Sequence, residues 1–386
     1  MNNKIINQAY NKALDVLDHC AKLKGFYASG LPGGYEAVWA RDSMTTALGA
    51  SLVGDKFKAV MAKSIGLLAK NQGQLGQIAN CVGSYNTDRQ SEVTFNSIDS
   101  SLWFIIGSLV YAQRFKESSL LKKYQRNIYC AYWWLRAQDP DNVGLIAQQP
   151  TNDWQDAFPH KYGYTIHVHA LYFAILKMMG DDKRAEEVKK IINGEIKKYC
   201  SLYDNNLGYY WPWAWKNHDS IREHEEWFDG LGNLLAIVTG LATPHIAKKI
   251  LAYIEREKIN QPYPCKAIWP PIKKGDKAWH DYFALCEARQ PYHYLNAGIW
   301  PMIGAFYIVA LVKMKQYKKA EQGLEKLARA NLQKLRVRDL KQAYEFNEWL
   351  DGRTGKPKGE PYQAWSAGSY IYAYECVKRK RVLFFS

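Results

Sequence analysis

The sequence predicts an all-α fold, an (α/α)6 toroid of six helical hairpins whose long loops form the active-site end. Three observations carry this. Apolar residues recur with the 3.6-residue period of a helix along most of the 386 residues. The periodic stretches number about twelve, and short breaks join most of them in pairs. Within a pair the second stretch is the more charged: compare Ala170–Met179 with Asp182–Lys198, or Ile299–Val312 with Tyr317–Leu332. An apolar helix followed by a polar one describes an inner ring wrapped by an outer ring. An open α-solenoid of helical pairs is the other architecture that fits.

Taken in order, the predicted helices span 3–24, 42–53, 56–71, 97–115, 118–138, 163–180, 183–200, 227–241, 244–256, 296–315, 317–333 and 363–378. Gly54-Asp55, Gly180-Asp181 and Thr243-Pro244 mark breaks between partners, since Gly ends helices and Thr-Pro begins them. Long loops separate the hairpins at 25–41, 72–96, 139–162, 201–226, 257–295 and 334–362, and hold much of the Trp, Tyr, Pro, Asp and Glu. Loops of that length in a compact protein are usually functional. No low-complexity linker divides the chain, so a single catalytic domain over 1–386 is expected.

Composition narrows the function classes. Hydrophobic residues at 47% and charged residues at 23% exclude wholesale disorder. Aromatics reach 14%, with 14 Trp and 27 Tyr, which suits a site lined with flat apolar faces such as sugars need. The net charge of +15 comes from lysines interleaved with acids on helix-like stretches, which reads as solvated helix faces. No nucleic-acid-binding motif is found, and the run Lys378-Arg379-Lys380-Arg381 reads as a solvated end. Seven scattered Cys without a C-x-x-C pair fit reduced thiols in a cytoplasmic protein better than disulfides or zinc. The N-terminus does not read as a signal peptide, and the apolar run Ile299–Val312 is too short for a bilayer, so no membrane association is expected.

Two loop segments carry acids beside aromatic rings: Asn152–Phe158, with Asp153, Trp154 and Asp156, and Glu345–Asp351, with Glu348 and Trp349. An apolar ring beside a carboxyl group raises its pKa, as a general acid near neutral pH requires, while a second carboxylate can activate water. Two such acids at one end of a toroid make the pair that glycoside hydrolysis uses. Helix capping and surface charge are the structural alternatives. Trp39-Ala40-Arg41-Asp42 follows the Gly-rich loop Leu31–Gly34; Arg41 and Asp42 either clamp sugar hydroxyls above Trp39 or form an ion pair with Asp42 as helix N-cap. Gly352–Lys356 looks like a phosphate loop but lacks its full spacing and the Ser or Thr after Lys. His167 and His169 are two apart on a predicted helix and do not share a face; with the loop histidines His280 and His293 they make a weak metal site.

These motifs resemble the α/α-barrel glycosidases, closest to the neutral/alkaline invertase family. Trp39–Asp42 is similar to its W-x-R-D motif and Asp99–Trp103 to D-S-G-L-W. Leu231–Val238 and Leu241–Pro244 resemble L-G-N-L-W-A-I-V and the segment after it. Tyr294, Asn296, Gly298, Trp300 and Pro301 resemble Y-H-N-G-G-N-W-P. Glu348–Asp351 and Gln363-Ala364-Trp365 resemble P-E-Y-Y-D and Q-T-W. The likeness covers about residues 35–375. Asp153–Ala157 departs from the invertase pattern toward the W-M-D-A of debranching enzymes, and Leu295 and Ala297 replace a His and a Gly.

The resemblance implies an inverting glycoside hydrolase with Asp156 as general acid and Glu348 as general base, roughly 6.5–9.5 Å apart to admit a water. It implies substrate contacts from Trp39, Arg41, Asp42, Asp99, Trp154, Asn296, Trp300, Gln363 and Trp365, and needs no metal or cofactor. A small saccharide is the expected partner, with sucrose first; an α-glucosidase or debranching-type hydrolase of gluco-oligosaccharides or glucosylglycerate is the alternative, and a homo-oligomer is allowed. A sugar epimerase, with histidines facing the cavity, and a non-catalytic carbohydrate-binding toroid are the competing readings.

Overall fold

A computed structural model describes residues 3–83, 91–196, 200–216 and 222–385. Thirteen α-helices lie among them: α1 Lys4–Cys20, α2 Ala40–Ala50, α3 Lys58–Lys70, α4 Asp99–Phe115, α5 Ser119–Lys123, α6 Gln125–Arg136, α7 Ile166–Met179, α8 Asp182–Ile192, α9 Gly230–Thr239, α10 Pro244–Arg256, α11 Pro301–Lys313, α12 Tyr317–Asn331 and α13 Ala364–Arg379. Helix α2 packs on α4, α4 on α7, α7 on α9, α9 on α11, α11 on α13, and α13 back on α2. That closed ring of six is the inner wall of the toroid and excludes the open solenoid. Outside it, α1 leans on α12 and α13, α3 and α6 on α4, α8 on α7, and α12 on α11.

Burial explains the two sequence types. Every residue of α9, and α11 from Pro301 to Val312, is buried, because an inner helix meets neighbours on all sides. Each large side chain so buried contributes about 1.5–3 kcal/mol. Outer α8 buries only Ala185, Val188, Ile191 and Ile192, one stripe at helical spacing. The inner helices also approach closely. A Cβ on Gly49 of α2 would lie 1.8 Å from the Gly368 carbonyl of α13, so only glycine permits that crossing.

The structure refines several sequence boundaries. The predicted helix 118–138 breaks at Tyr124 into α5 and α6. The predicted 183–200 ends at Ile192; residues 197–199 of it, and parts of the loops 72–96 and 201–226, lie outside the described residues. The loops also hold short strands, among them a three-stranded sheet of Val38–Trp39, Cys81–Val82 and Val93–Thr94 and a four-stranded one around Gly163–Thr165. Strands of two to four residues are too short for alternation to be readable. No helix of the described residues is long and apolar enough to cross a membrane.

Candidate active site

The N-terminal ends of α2, α11 and α13 meet the loops that carry Asp156 and Glu348. A cavity of about 130 Å³ opens there, lined by Ala28, Tyr35, Trp39, Arg41, Asp42, Trp154, Asp156, Tyr294, Trp300, Glu348, Gln363 and Trp365. Trp39, Trp300 and Gln363 hold the N-cap positions of α2, α11 and α13, and none of them caps the helix with its side chain. By contrast Thr165 and Asp229 cap α7 and α9 in the ordinary way. At the cavity the capping position has been given to residues that face the void, at a cost of about 1 kcal/mol per helix.

The walls are aromatic. Trp154 meets Trp300 edge-on at 5.6 Å, Trp300 meets Trp365 at 5.7 Å, and Tyr294 packs on Trp300 at 5.3 Å. Arg41 lies 5.7 Å over the Trp365 ring. Arg41 Nε and Asp42 Oδ2 face each other as an ion pair at 3.6 Å, too long for a hydrogen bond, and three more buried polar atoms find no hydrogen-bond partner among the described residues: Gln363 Nε2 and the indole N–H groups of Trp154 and Trp365. Buried polar atoms without partners are expensive. A ligand rich in hydroxyl groups would satisfy them, with flat faces for its ring and donors and an acceptor for its edges.

Asp156 and Glu348 face this one cavity from loops 192 positions apart in sequence. Burial pushes Glu348 up to about 8, although the Glu360 N–H donates to its carboxylate at 3.2 Å and Tyr35 Oη at 3.3 Å. Burial likewise pushes Asp156 up to about 6, against the opposing pull of the Arg41 guanidinium, and Asp42 up to about 6. Both members of the pair therefore change protonation near neutrality. Gly359 makes room for Glu348: a Cβ there would lie 2.6 Å from Glu348 Oε2, and the residue has φ of +70°.

The Asp156 loop is anchored from below. Lys161 is fully buried and forms ion pairs with Asp153 at 2.9 Å and with Asp229 at 3.4 Å. Asp229 in turn caps α9 by accepting from the Gly232 N–H at 3.0 Å. The loop is thus tied to the inner ring three residues before Asp156. Sequence reasoning passed over Lys161, Tyr35 and Ala28 because nothing local distinguishes them. Tyr294 stood in a recognised motif without a role.

Two residues expected to touch substrate do not line the cavity. Asp99 has no exposed surface; it lies behind Arg41, with His167 Nε2 at 3.1 Å, Arg41 at 3.9 Å and the Ser97 hydroxyl donating to it. Burial opposes its ionisation, but those partners hold its pKa below the usual carboxylate range. Asn296 is also buried: its amide donates to the Ile272 and Ala288 carbonyls at 2.7 and 2.9 Å and accepts from the Ile272 N–H at 2.8 Å. It staples the loop 272–288 and, fully buried, presents no surface to a ligand. Of the structural alternative for Arg41 and Asp42, the ion pair is present at 3.6 Å, whereas the N-cap reading of Asp42 is corrected, since α2 begins at Ala40 and Asp42 sits in its first turn. His167 and His169 do part company, the latter holding the Thr165 carbonyl at 2.7 Å and the Ile146 N–H at 3.3 Å. No histidine lines the cavity among the described residues.

Comparison with known proteins agrees with this architecture. Residues 222–380 match the family described as alkaline and neutral invertase. The probable alkaline/neutral invertase D of Arabidopsis thaliana is 22% identical over 328 residues, covering 72% of this chain and 59% of that protein. A neutral/alkaline invertase 1, mitochondrial, of Oryza sativa subsp. japonica is 30% identical over 149 residues, 37% of this chain and 22% of that protein. The chain therefore spans less than two thirds of the length of these relatives. Among solved structures, the GH63 mannosylglycerate hydrolase from Thermus thermophilus superposes with a TM-score of 0.67 at 13% identity, over 94% of this chain and 99% of that one. A rhamnosidase from Klebsiella oxytoca gives 0.61 at 13% identity, over 96% of this chain and 64% of that one. The resemblance to the α/α-toroid glycosidases is borne out, and the fold is theirs.

Proposed function

We propose that this protein is an inverting glycoside hydrolase of a small α-glucoside, acting as a single catalytic domain without a metal or organic cofactor. One observation carries the reading: two carboxyls with raised pKa values, the half-buried Asp156 and the buried Glu348, face one aromatic cavity whose polar atoms await a polyhydroxylated ligand. Arg41 and Asp42 hold neighbouring hydroxyls, and the Trp300 and Trp365 faces carry the ring. By the family resemblance Asp156 protonates the leaving oxygen while Glu348 takes a proton from the attacking water.

The order of the two pKa values favours a second reading in which the roles are exchanged. Glu348, at about 8, keeps its proton at neutral pH and would be the acid, and Asp156, at about 6, the base. An α-glucosyl fluoride separates the two, because fluoride leaves without a proton. The variant lacking the acid keeps turnover on the fluoride, and the variant lacking the base loses it on every substrate.

Sucrose is the first substrate proposed, since the matched relatives carry the name invertase; glucosylglycerate follows from the mannosylglycerate hydrolase likeness. A cytoplasmic location and homo-oligomerisation belong to the same proposal. Proton NMR of the protein with sucrose, maltose, isomaltose, trehalose and glucosylglycerate tests it. A β-glucose signal appearing first from one α-glucoside supports inversion and names the substrate. An α-glucose signal appearing first overturns inversion, and silence across the panel overturns the small-glucoside reading.

A further inference from the structure

The opposite end of the toroid carries a second recess of different chemistry. A groove of about 680 Å³, within the size range of small-molecule sites, lies where the C-terminal ends of α4, α11 and α13 meet the tail. Arg114, Lys313, Lys315, Arg379, Lys380 and Arg381 all line it, and no carboxylate does. Arg379, Lys380 and Arg381, from the basic run read from sequence as a solvated end, are exposed and form one wall of a concavity, which Lys313 and Arg114 on other helices complete.

Helix ends explain part of this charge. Three C-termini supply about half a negative charge each, and such ends attract cations. Glu375 pairs with Arg379 at 2.9 Å. Lys380 lies 5.6 Å over the Tyr317 ring, and Lys313 Nζ donates to the Phe385 carbonyl at 3.2 Å. Most of six positive charges remain without an anionic partner among the described residues. Lys313 shows the strain: burial, and then the nearby Lys189, press its pKa below the ordinary lysine value.

We propose that this groove binds a ligand carrying two or more phosphate groups. Arginine forks and lysine ammoniums match phosphate oxygens in charge and geometry. Leu52, Val312, Tyr317 and Phe384 give the same groove an apolar wall against which the rest of such a ligand rests. The site is distinct from the catalytic cavity: α13 has 16 residues, so its two ends lie roughly 24 Å apart.

The test is calorimetric titration of the full-length protein with metal-free pyrophosphate, beside the Lys315→Glu/Arg381→Glu double variant and a remote control, Lys341→Glu. A saturable isotherm is expected, weakened roughly tenfold or more in the double variant and little changed in the control. The unfolding temperature of each variant checks that it folds. If pyrophosphate is silent but vesicles containing a polyphosphoinositide sediment the protein and the double variant escapes, the phosphate source is a lipid headgroup and the chemistry stands. Equal weakening in the control means diffuse charge and overturns the proposal. So does silence of both probes, or tighter retention of the protein by duplex DNA than by either. Glycoside turnover is not read, so this proposal and the hydrolase reading fail independently.

Discussion

The two ends of the toroid are built by the same helices and have opposite chemistry. At the N-terminal end, aromatic rings and the carboxyls of Asp42, Asp156 and Glu348 surround a small cavity. At the C-terminal end, six cations surround a larger open groove. The helix macrodipole explains the sign at each end, since it favours anions at N-termini and cations at C-termini. It does not explain the burial. The acids are held in low dielectric with raised pKa values, while Lys315, Arg379, Lys380 and Arg381 remain exposed. Burial moves the protons of the acids toward neutral pH, while exposure leaves the cations free to meet charge from solvent.

The comparison breaks most visibly at Asp156. Replacing it with Asn is expected to lower turnover on the natural glycoside by roughly 10²–10⁴-fold while leaving pyrophosphate binding at the far end unchanged. Steady-state rates and the titration above check both halves, and unchanged turnover removes Asp156 from the mechanism.

Next in size is Lys161→Met, which strands Asp153 and Asp229 as buried, unpaired charges. A loss of about 3–5 kcal/mol of stability is expected, measured by denaturant unfolding. Loss of activity without loss of stability would show that the ion triad positions the loop but does not hold the fold.

Gly359→Ala sharpens only the end that holds the aromatic cavity. The added methyl collides with the Glu348 carboxylate and needs a left-handed backbone, costing about 1–3 kcal/mol in overpacking. On the role proposed for Glu348, turnover should fall more than substrate affinity, which steady-state kinetics checks.

The smallest effect concerns pH. Glu348 has a folded-state pKa raised from 4.5 to about 8, so its contribution to stability is full below pH 4.5 and is lost as pH rises through 8. Glu348→Gln cannot ionise and escapes that loss. Its unfolding temperature should match the parent near pH 4.5 and exceed it by about 2 °C or more near pH 8.5. A gain that shrinks with rising pH would mean that Glu348 is ionised in the fold.

Some of this was legible in one dimension. The inner and outer helices announced themselves because burial on all sides and burial on one stripe leave different residue patterns, as α11 and α12 show. Asp156, Glu348, Arg41, Asp42 and the tryptophans of the cavity stood out as polar groups beside rings on long loops, which the helix pattern does not require. Asp99 and Asn296 stood in the same motifs, and only packing revealed that one supports Arg41 and the other staples a loop. Tyr35 and Lys161 gave no signal, because a lone tyrosine or lysine looks the same in a loop whether it meets solvent or a buried carboxylate.

The sequence by itself determined the helical class, the six-fold pairing and the acids worth testing, because periodicity and composition are local properties that a chain displays before it folds. The tertiary structure decided which ring neighbours close the toroid, which acids share a cavity, what their burial does to their protons, and that cations from three helix ends and the tail line one groove. Those are relations between residues hundreds of positions apart, and only packing brings them within the few ångströms over which charge, hydrogen bonding and exclusion of water act.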